Sequence, residues 1–165
     1  MATTPWSAAD APSSVVGLIL EGQRYALPLG QVERVIPLVE ITMLPKAPAV
    51  IMGVIDVRGS VIPVVNIRKR FGLPDRVPTV TDKLVIAQTR HRRLALVVDA
   101  ALGVLNIPRQ RIAEPADIAP RIDYLAGVAR LADGMILIHD LDQCLDIGEE
   151  RDVDIALAAL RDRKP

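Results

Sequence analysis

The chain has 165 residues, and its 20 Lys+Arg balance its 20 Asp+Glu. That length fits one compact domain or two very small ones, and a formally neutral chain lacks the basic field that a phosphate-collecting nucleic-acid binder needs. Val, Ile and Leu supply 54 residues, enough for an aliphatic core and incompatible with wholesale disorder, whereas aromatics are only 2% and leave almost no stacking platform for bases or sugars.

In chain order, residues 1–14 are small, polar and Pro-containing and read as a loose tail, with Trp6 its one large apolar group. From Val15 onward, short β-branched runs are divided by turn signals. Val15–Leu20 and Tyr25–Leu29 flank Glu21-Gly22-Gln23-Arg24 as a hairpin. Val32–Ile36, Ile51–Arg58 and Val61–Ile67 are further strands, the last two joined by a two-residue turn at Gly59-Ser60. Pro28 and Pro63 cannot donate to a ladder and are expected at edges or bulges. Ile67–Phe71 predicts a short helix stopped by Gly72 and Pro74. Strands resume at Leu84–Gln88, Leu94–Val98, Val104–Ile107, Leu125–Leu131 and Met135–His139, about ten in all, a spacing that suits barrels or sandwiches. Residues 149–163 read as a C-terminal helix, with Val153, Ala156, Leu157 and Leu160 on one stripe, acids first and bases last.

The chain also repeats itself. Gly53 over Gly127, an offset of 74, aligns MGVIDVRGSVIPVVNI with AGVARLADGMILIHDL. Earlier, Tyr25-Ala-Leu lies over Leu94-Ala-Leu and Val35 over Val104, an offset of 69. The slippage puts about five extra residues into the second half, within IPRQRIAEPADIAPRID. Two similar sub-barrels follow, each too small to hold a good core alone and so expected to pack as one unit.

Chemical constellations are sparse. His139 stands near Asp140, Asp142 and Cys144, but successive strand residues face opposite ways and no second His or Cys completes a zinc set. A small barrel enzyme using His139, Asp142 and Cys144 is one alternative function; a nucleic-acid-binding barrel using Arg90–Arg93 is another. Neither GxxxxGK[ST] nor GxGxxG occurs to cradle phosphate. The expectation is therefore no catalytic residue, no metal and no cofactor. Cys144 is the single cysteine, residues 1–14 show no secretory pattern, and no apolar run reaches membrane-span length, so a cytoplasmic location is expected. Arg58, at a strand end before a glycine turn, reads either as a solvated hairpin residue or as a forked donor for a neighbouring carbonyl or carboxylate.

The segment from Gly53 to Asn66 resembles the signature of CheW-like domains, adaptors of bacterial chemotaxis, whose usual form is close to GVINLRGxVIPVIDLR. Leu44-Pro45-Lys46-Ala47-Pro48 resembles the family's LPxAP, and Gly22–Leu29 its opening hairpin. Leu96-Val97-Val98-Asp99 resembles GLLVD, and Leu125–Val128 with Asp133-Gly134 resembles YIxGVAxLxDG. The match runs from about Val15 to Leu145. Asp56 stands where the family commonly has Asn and Asn66 where it commonly has Asp, near-isosteric exchanges that leave the fold intact and alter partner electrostatics.

The resemblance implies a mainly β fold: two SH3-like five-stranded β-barrels packed as one unit over 15–147, the first about 15–67 and the second about 81–141, followed by the C-terminal helix. It implies a non-catalytic adaptor coupling chemoreceptors to a CheA-like histidine kinase, or serving a related pilus-motility or surface-sensing pathway. Membrane contact is then only indirect, through receptor arrays. By the same resemblance, a receptor tip meets a groove near Val35, Ile36, Gly53, Asp56, Arg58 and Gly59. The kinase meets the second half at Leu94, Val98, Asp99 and Leu102.

Overall fold

The computed structural model describes residues 14–113 and 125–162, so the expected tail falls outside it save for Ser14, as does most of the five-residue insertion. Eleven strands occur among the described residues: β1 Ser14–Leu20, β2 Gln23–Pro28, β3 Val32–Pro37, β4 Ile51–Val57, β5 Ser60–Val65, β6 Lys83–Gln88, β7 Arg93–Val98, β8 Ala100–Asn106, β9 Ile112–Ala113, β10 Leu125–Leu131 and β11 Gly134–His139. The two-residue β9 is the strand that sequence periodicity misses. Among the described residues two α-helices join them, α1 at Ile67–Phe71 and α2 at Ile147–Asp162.

The strands form a six-stranded sheet ordered β8-β1-β2-β11-β10-β9 and a five-stranded sheet ordered β3-β6-β7-β5-β4. The chain does not divide into consecutive stretches 15–67 and 81–141. One compact unit contains residues up to Val32 together with Val98–Cys144, and the other contains Glu33–Val97 together with the chain from Leu145 onward. The repeat explains why. Each half of the sequence makes a first hairpin, an edge strand and a second hairpin, and each sheet takes its first hairpin from one half and the rest from the other. Two of the ladders that join the halves are parallel and correspond to one another, β5 meeting β7 at Val64↔Ala95 and β11 meeting β2 at Ile138↔Ala26, while β1 meets β8 antiparallel. Val64 and Ile138 differ by 74, and Ala26 and Ala95 by 69, the two offsets found in the sequence.

Each second hairpin carries a matching irregularity. Register shifts between Ile51 and Gly53 in one hairpin and between Leu125 and Gly127 in the other. The glycines are needed for close approach. A Cβ on Gly53 would lie 2.3 Å from the Thr42 carbonyl oxygen, and one on Gly127 would lie 2.9 Å from Ile112 Cγ2. Pro28 and Pro63 depart from expectation, since both lie in interior strands. Pro28 ends β2, and Pro63 pairs with Val54 one residue before the β5–β7 ladder begins, so no pair of that ladder uses its missing N–H.

Both interiors are aliphatic. Val15, Ile107, Ile136 and Ile138 centre the first unit, and Ile55, Ile62, Leu84 and Ile86 the second. In the second, Asn66 caps α1 by accepting from Lys69 N (3.3 Å) and Gly72 closes it at φ 71°. Helix α2 opens with a reciprocal capping box: Glu149 N–H donates to Asp146 Oδ1 (2.7 Å) and Asp146 N–H to Glu149 Oε1 (3.0 Å). Val153 and Ala156 are buried, Leu157 and Leu160 half-buried, as the stripe predicts. Charged clamps hold the helix: Arg70 Nη2 donates to both Glu149 carboxylate oxygens (2.6 and 2.7 Å), and Arg92 donates to Glu150 Oε2 (2.5 Å), the Glu150 carbonyl (3.1 Å) and Asp154 Oδ1 (2.7 Å).

Two substitutions test this packing. Gly53→Ala is expected to cost about 3 kcal/mol and Gly127→Ala about 1 kcal/mol in urea unfolding, because a backbone oxygen cannot move aside as a side chain can. Arg92→Ala, which strands Glu150 while it is mostly buried, is expected to cost about 2 kcal/mol, read as a lower urea midpoint.

Candidate functional site: exposed strands and a charged hairpin tip

The β4–β5 hairpin closes between Val57 and Ser60, so its two turn residues are Arg58 and Gly59, one position earlier than the sequence reading. Both have positive φ, 52° and 86°, as a type I′ turn requires. Glu21-Gly22 turns β1 into β2 the same way, with φ 51° and 73°. Left-handed backbone costs a non-glycine residue about 1 kcal/mol, and Arg58 is exposed with no hydrogen bond or ion pair among the described residues. Asp56 supports the tip, its Oδ1 accepting from Gly59 N–H at 2.7 Å. An Asn carbonyl could accept that bond equally, which is why the exchange leaves the turn intact. The second exchange has a different logic. Asn66 Nδ2 donates to Asp75 Oδ1 (3.1 Å), a bond an ionised Asp could not make, and this amide holds the Asp75 carboxyl below the usual carboxylate range.

The expected receptor-facing residues separate on inspection. Val35 is 37% exposed on β3, whereas Ile36 turns inward against the Ile55–Ile86 cluster. Gly53 is buried, and its role is the close approach of Thr42. Strand β3 ends one side of its ladder and β4 the other; the segment after β3 returns to β4 through the Thr42–Val54 bridge, whose N–H···O bonds are 2.9 and 2.7 Å.

The expected kinase-facing set needs correction. Leu94 and Val98 are fully buried, their side chains packed inside the domain and not offered to a partner. Asp99 is half-buried and ties the first hairpin: Glu21 N–H donates to its Oδ2 (3.0 Å), and its own N–H donates to the Ile19 carbonyl (2.9 Å). Leu102 is 41% exposed on the edge strand β8, and Val104, which sequence reading did not single out as a contact, is 56% exposed beside it. The signal was present: Val104 aligns with Val35, and both lie on the corresponding edge strands. Gly17 lies opposite Gly103, where the register shifts, and has no side chain to collide with Leu102 and Leu105.

His139 is buried beside Tyr25, ring centroids 5.4 Å apart, and Cys144 is buried too. Asp140 caps the 3-10 turn Leu141–Gln143 and accepts from Gln31 (3.1 Å). No group of three metal-binding side chains is found among the described residues. In the basic turn, Arg92 is committed to α2 and Arg93 Nη2 to Glu33 Oε2 (2.8 Å), which neutralises half of the proposed nucleic-acid patch.

Since Arg58 carries strain and no structural bond, Arg58→Gly is expected to leave the urea midpoint unchanged or raise stability by up to about 1 kcal/mol. Arg58→Val, β-branched in a left-handed position, is expected to lower stability by about 1–2 kcal/mol.

Comparison with known proteins matches residues 14–149 to the family model of the CheW-like domain. "Chemotaxis protein CheW" of Rhizobium meliloti (strain 1021) is 34% identical over 113 residues, covering 67% of this chain and 72% of that protein. The Bacillus subtilis (strain 168) protein of the same name is 30% identical over 134 residues, covering 80% of this chain and 86% of its own. The crystal structure of the scaffolding protein TtCheW from Thermoanaerobacter tengcongensis superposes with a TM-score of 0.75 at 31% identity, covering 84% of this chain and 95% of that one. With the family model spanning most of the chain and the hairpin signature at Gly53–Asn66 in place, this protein belongs to the CheW-like domain family.

Proposed function

We propose that this protein is a non-catalytic adaptor that links a CheA-type histidine kinase to the cytoplasmic tips of chemoreceptors. The observation that carries the reading is the CheW-like match over residues 14–149. A connector needs two separate contact surfaces, and the fold supports this with two sheets, each ending in an edge strand that exposes apolar side chains: Val35 on β3, and Leu102 with Val104 on β8. Edge strands of this kind leave ladder groups unpaired and invite a partner.

The receptor-facing set under this proposal is Val35 with Asp56, Arg58 and Gly59, the charged tip acting beside an apolar strand; Ile36 and Gly53 support it from within. The kinase-facing set is Leu102 and Val104, with Asp99 holding the adjoining hairpin. No helix among the described residues is long and apolar enough to cross a membrane. The protein would work in the cytoplasm and reach membrane arrays only through its receptors. Modest, transient surfaces of this type give affinities nearer micromolar than nanomolar.

The test is co-purification of the full chain with the CheA-type kinase and receptor signalling fragments of its own host. Val35→Asp or Arg58→Gly is expected to weaken receptor capture at least about tenfold while kinase capture persists. Leu102→Asp with Val104→Asp should do the reverse. Failure of the wild-type chain to bind either partner, or loss of both partners in every folded variant, would sink the reading.

A further inference from the structure

The repeat places an arginine at the start of the second strand of each first hairpin, Arg24 in β2 and Arg93 in β7, at the offset of 69. Their neighbours across the parallel ladder correspond too, but the hairpin tips differ. In the first unit, Arg24 meets Asp133 at the β10–β11 tip in a forked pair: Nη1 donates to both carboxylate oxygens (3.3 and 3.2 Å) and Nη2 to Oδ1 (3.2 Å). Gly134 lets the fork lie close, since a Cβ there would be 2.9 Å from Arg24 Nη2. The pair holds the Asp133 carboxyl below the usual carboxylate range.

In the second unit the position corresponding to Asp133 is Gly59, which has no side chain. Arg93 turns to Glu33 instead, and only its Nη2 has a hydrogen-bond partner; Nε has none. Beside it a groove of about 550 Å³ opens between the β4–β5 hairpin, the start of β7 and α2. Its lining includes the accessible apolar residues Val61, Leu157 and Leu160, and among its cations are Arg93, which keeps Nη1 open beside its Glu33 pair, and Arg161 from the last turn of α2. Arg161 is exposed and without a partner among the described residues, and Arg58, equally unpaired, precedes Gly59 at the same tip. Asp154, the carboxylate in this lining, already serves Arg92.

We infer that this groove receives an acidic segment of a partner polypeptide. The partner's Asp or Glu carboxylate bridges Arg93 and Arg161, adding in trans a group like the one Asp133 supplies to Arg24 in cis, and a flanking apolar side chain covers Val61, Leu157 and Leu160. Charge complementarity selects the carboxylate, and the apolar lining selects a peptide over a bare anion. The groove borders the receptor-facing tip at Gly59, but the inference rests on the repeat and its ion pairs and holds whether or not the adaptor reading does.

The test is an amide NMR titration of the ¹⁵N-labelled full chain with an acetylated, amidated peptide of residues 131–136 (LADGMI), which carries the model carboxylate Asp133 between apolar groups. Saturable shifts at Gly59, Ser60, Arg93, Leu160 and Arg161 are expected. Affinity should fall at least about tenfold for the Asp133→Asn peptide, and likewise for the Arg93→Gln and Arg161→Gln proteins. Arg161 is exposed on a helix end, so its variant decides the matter should Arg93→Gln misfold. No saturable binding, equal affinity for the Asp and Asn peptides, or undiminished binding by Arg161→Gln would overturn the inference. Equal shifts with sodium acetate at matched concentration would also overturn it, leaving a simple anion site. Neither kinase nor receptor enters the measurement, so it can fail while the adaptor reading stands.

Discussion

The architecture hangs on two short parallel ladders, Val64↔Ala95 and Ile138↔Ala26. A hairpin alone is marginal in water, and each first hairpin here takes both its neighbours from the other half: a second hairpin on one side and an edge strand, β8 or β3, on the other. That arrangement turns a tandem repeat into two interleaved sheets. It also explains the alanines at the contact: a small residue at each junction lets the neighbouring strands pack their larger aliphatic side chains into the two cores. Parallel pairing also requires the chain to travel between the paired strands, and the segments from β2 to β11 and from β5 to β7 supply that length.

Glycine sets the fine geometry of the second hairpins. Gly53 and Gly127 occupy matching positions and both accept a close neighbour, but the neighbour is a backbone carbonyl in one case and an isoleucine methyl in the other. The same comparison separates the tips. One carries Asp133 in a forked pair with Arg24, and the other carries Arg58-Gly59 in a strained type I′ turn with its cation unspent. Duplicated elements have thus diverged at their ends while keeping their ladders, which is where surface chemistry can change without disturbing a core.

Charge distribution follows the same division. Formal neutrality conceals a set of committed arginines, with Arg70 and Arg92 holding α2 and Arg24 holding a hairpin tip, beside a few uncommitted ones, Arg58 and Arg161 among them. Committed arginines are partly buried and contribute to stability; uncommitted ones are exposed, where isolated ion pairs contribute little to folding and more to partner choice. The basic run Arg90–Arg93 looked uniform in sequence and is not. Arg92 faces Glu150 and Asp154 on a helix 58 and 62 positions away, a fact that local composition could not hold.

By itself the sequence determined the mainly β character, nearly every strand, both helices, the repeat with its two offsets, and the hairpin signature that marks the family. These are local properties, written in side-chain period, turn residues and caps, and they survive any choice of strand partners. It left Arg58 at a strand end with two readings open, a solvated hairpin residue or a forked donor, and the pairing register moved it into the turn itself. Only the tertiary structure decided which hairpin joins which sheet, so consecutive barrels at 15–67 and 81–141 gave way to interleaved units. Burial followed from that decision. Leu94 and Val98 became core because other elements cover their face of β7, while Val104 stayed exposed because its face of β8 is left open. Alternation along a strand says which residues share a face, but whether a face or an edge meets solvent depends on elements distant in sequence, and that information resides in the tertiary pairing and packing.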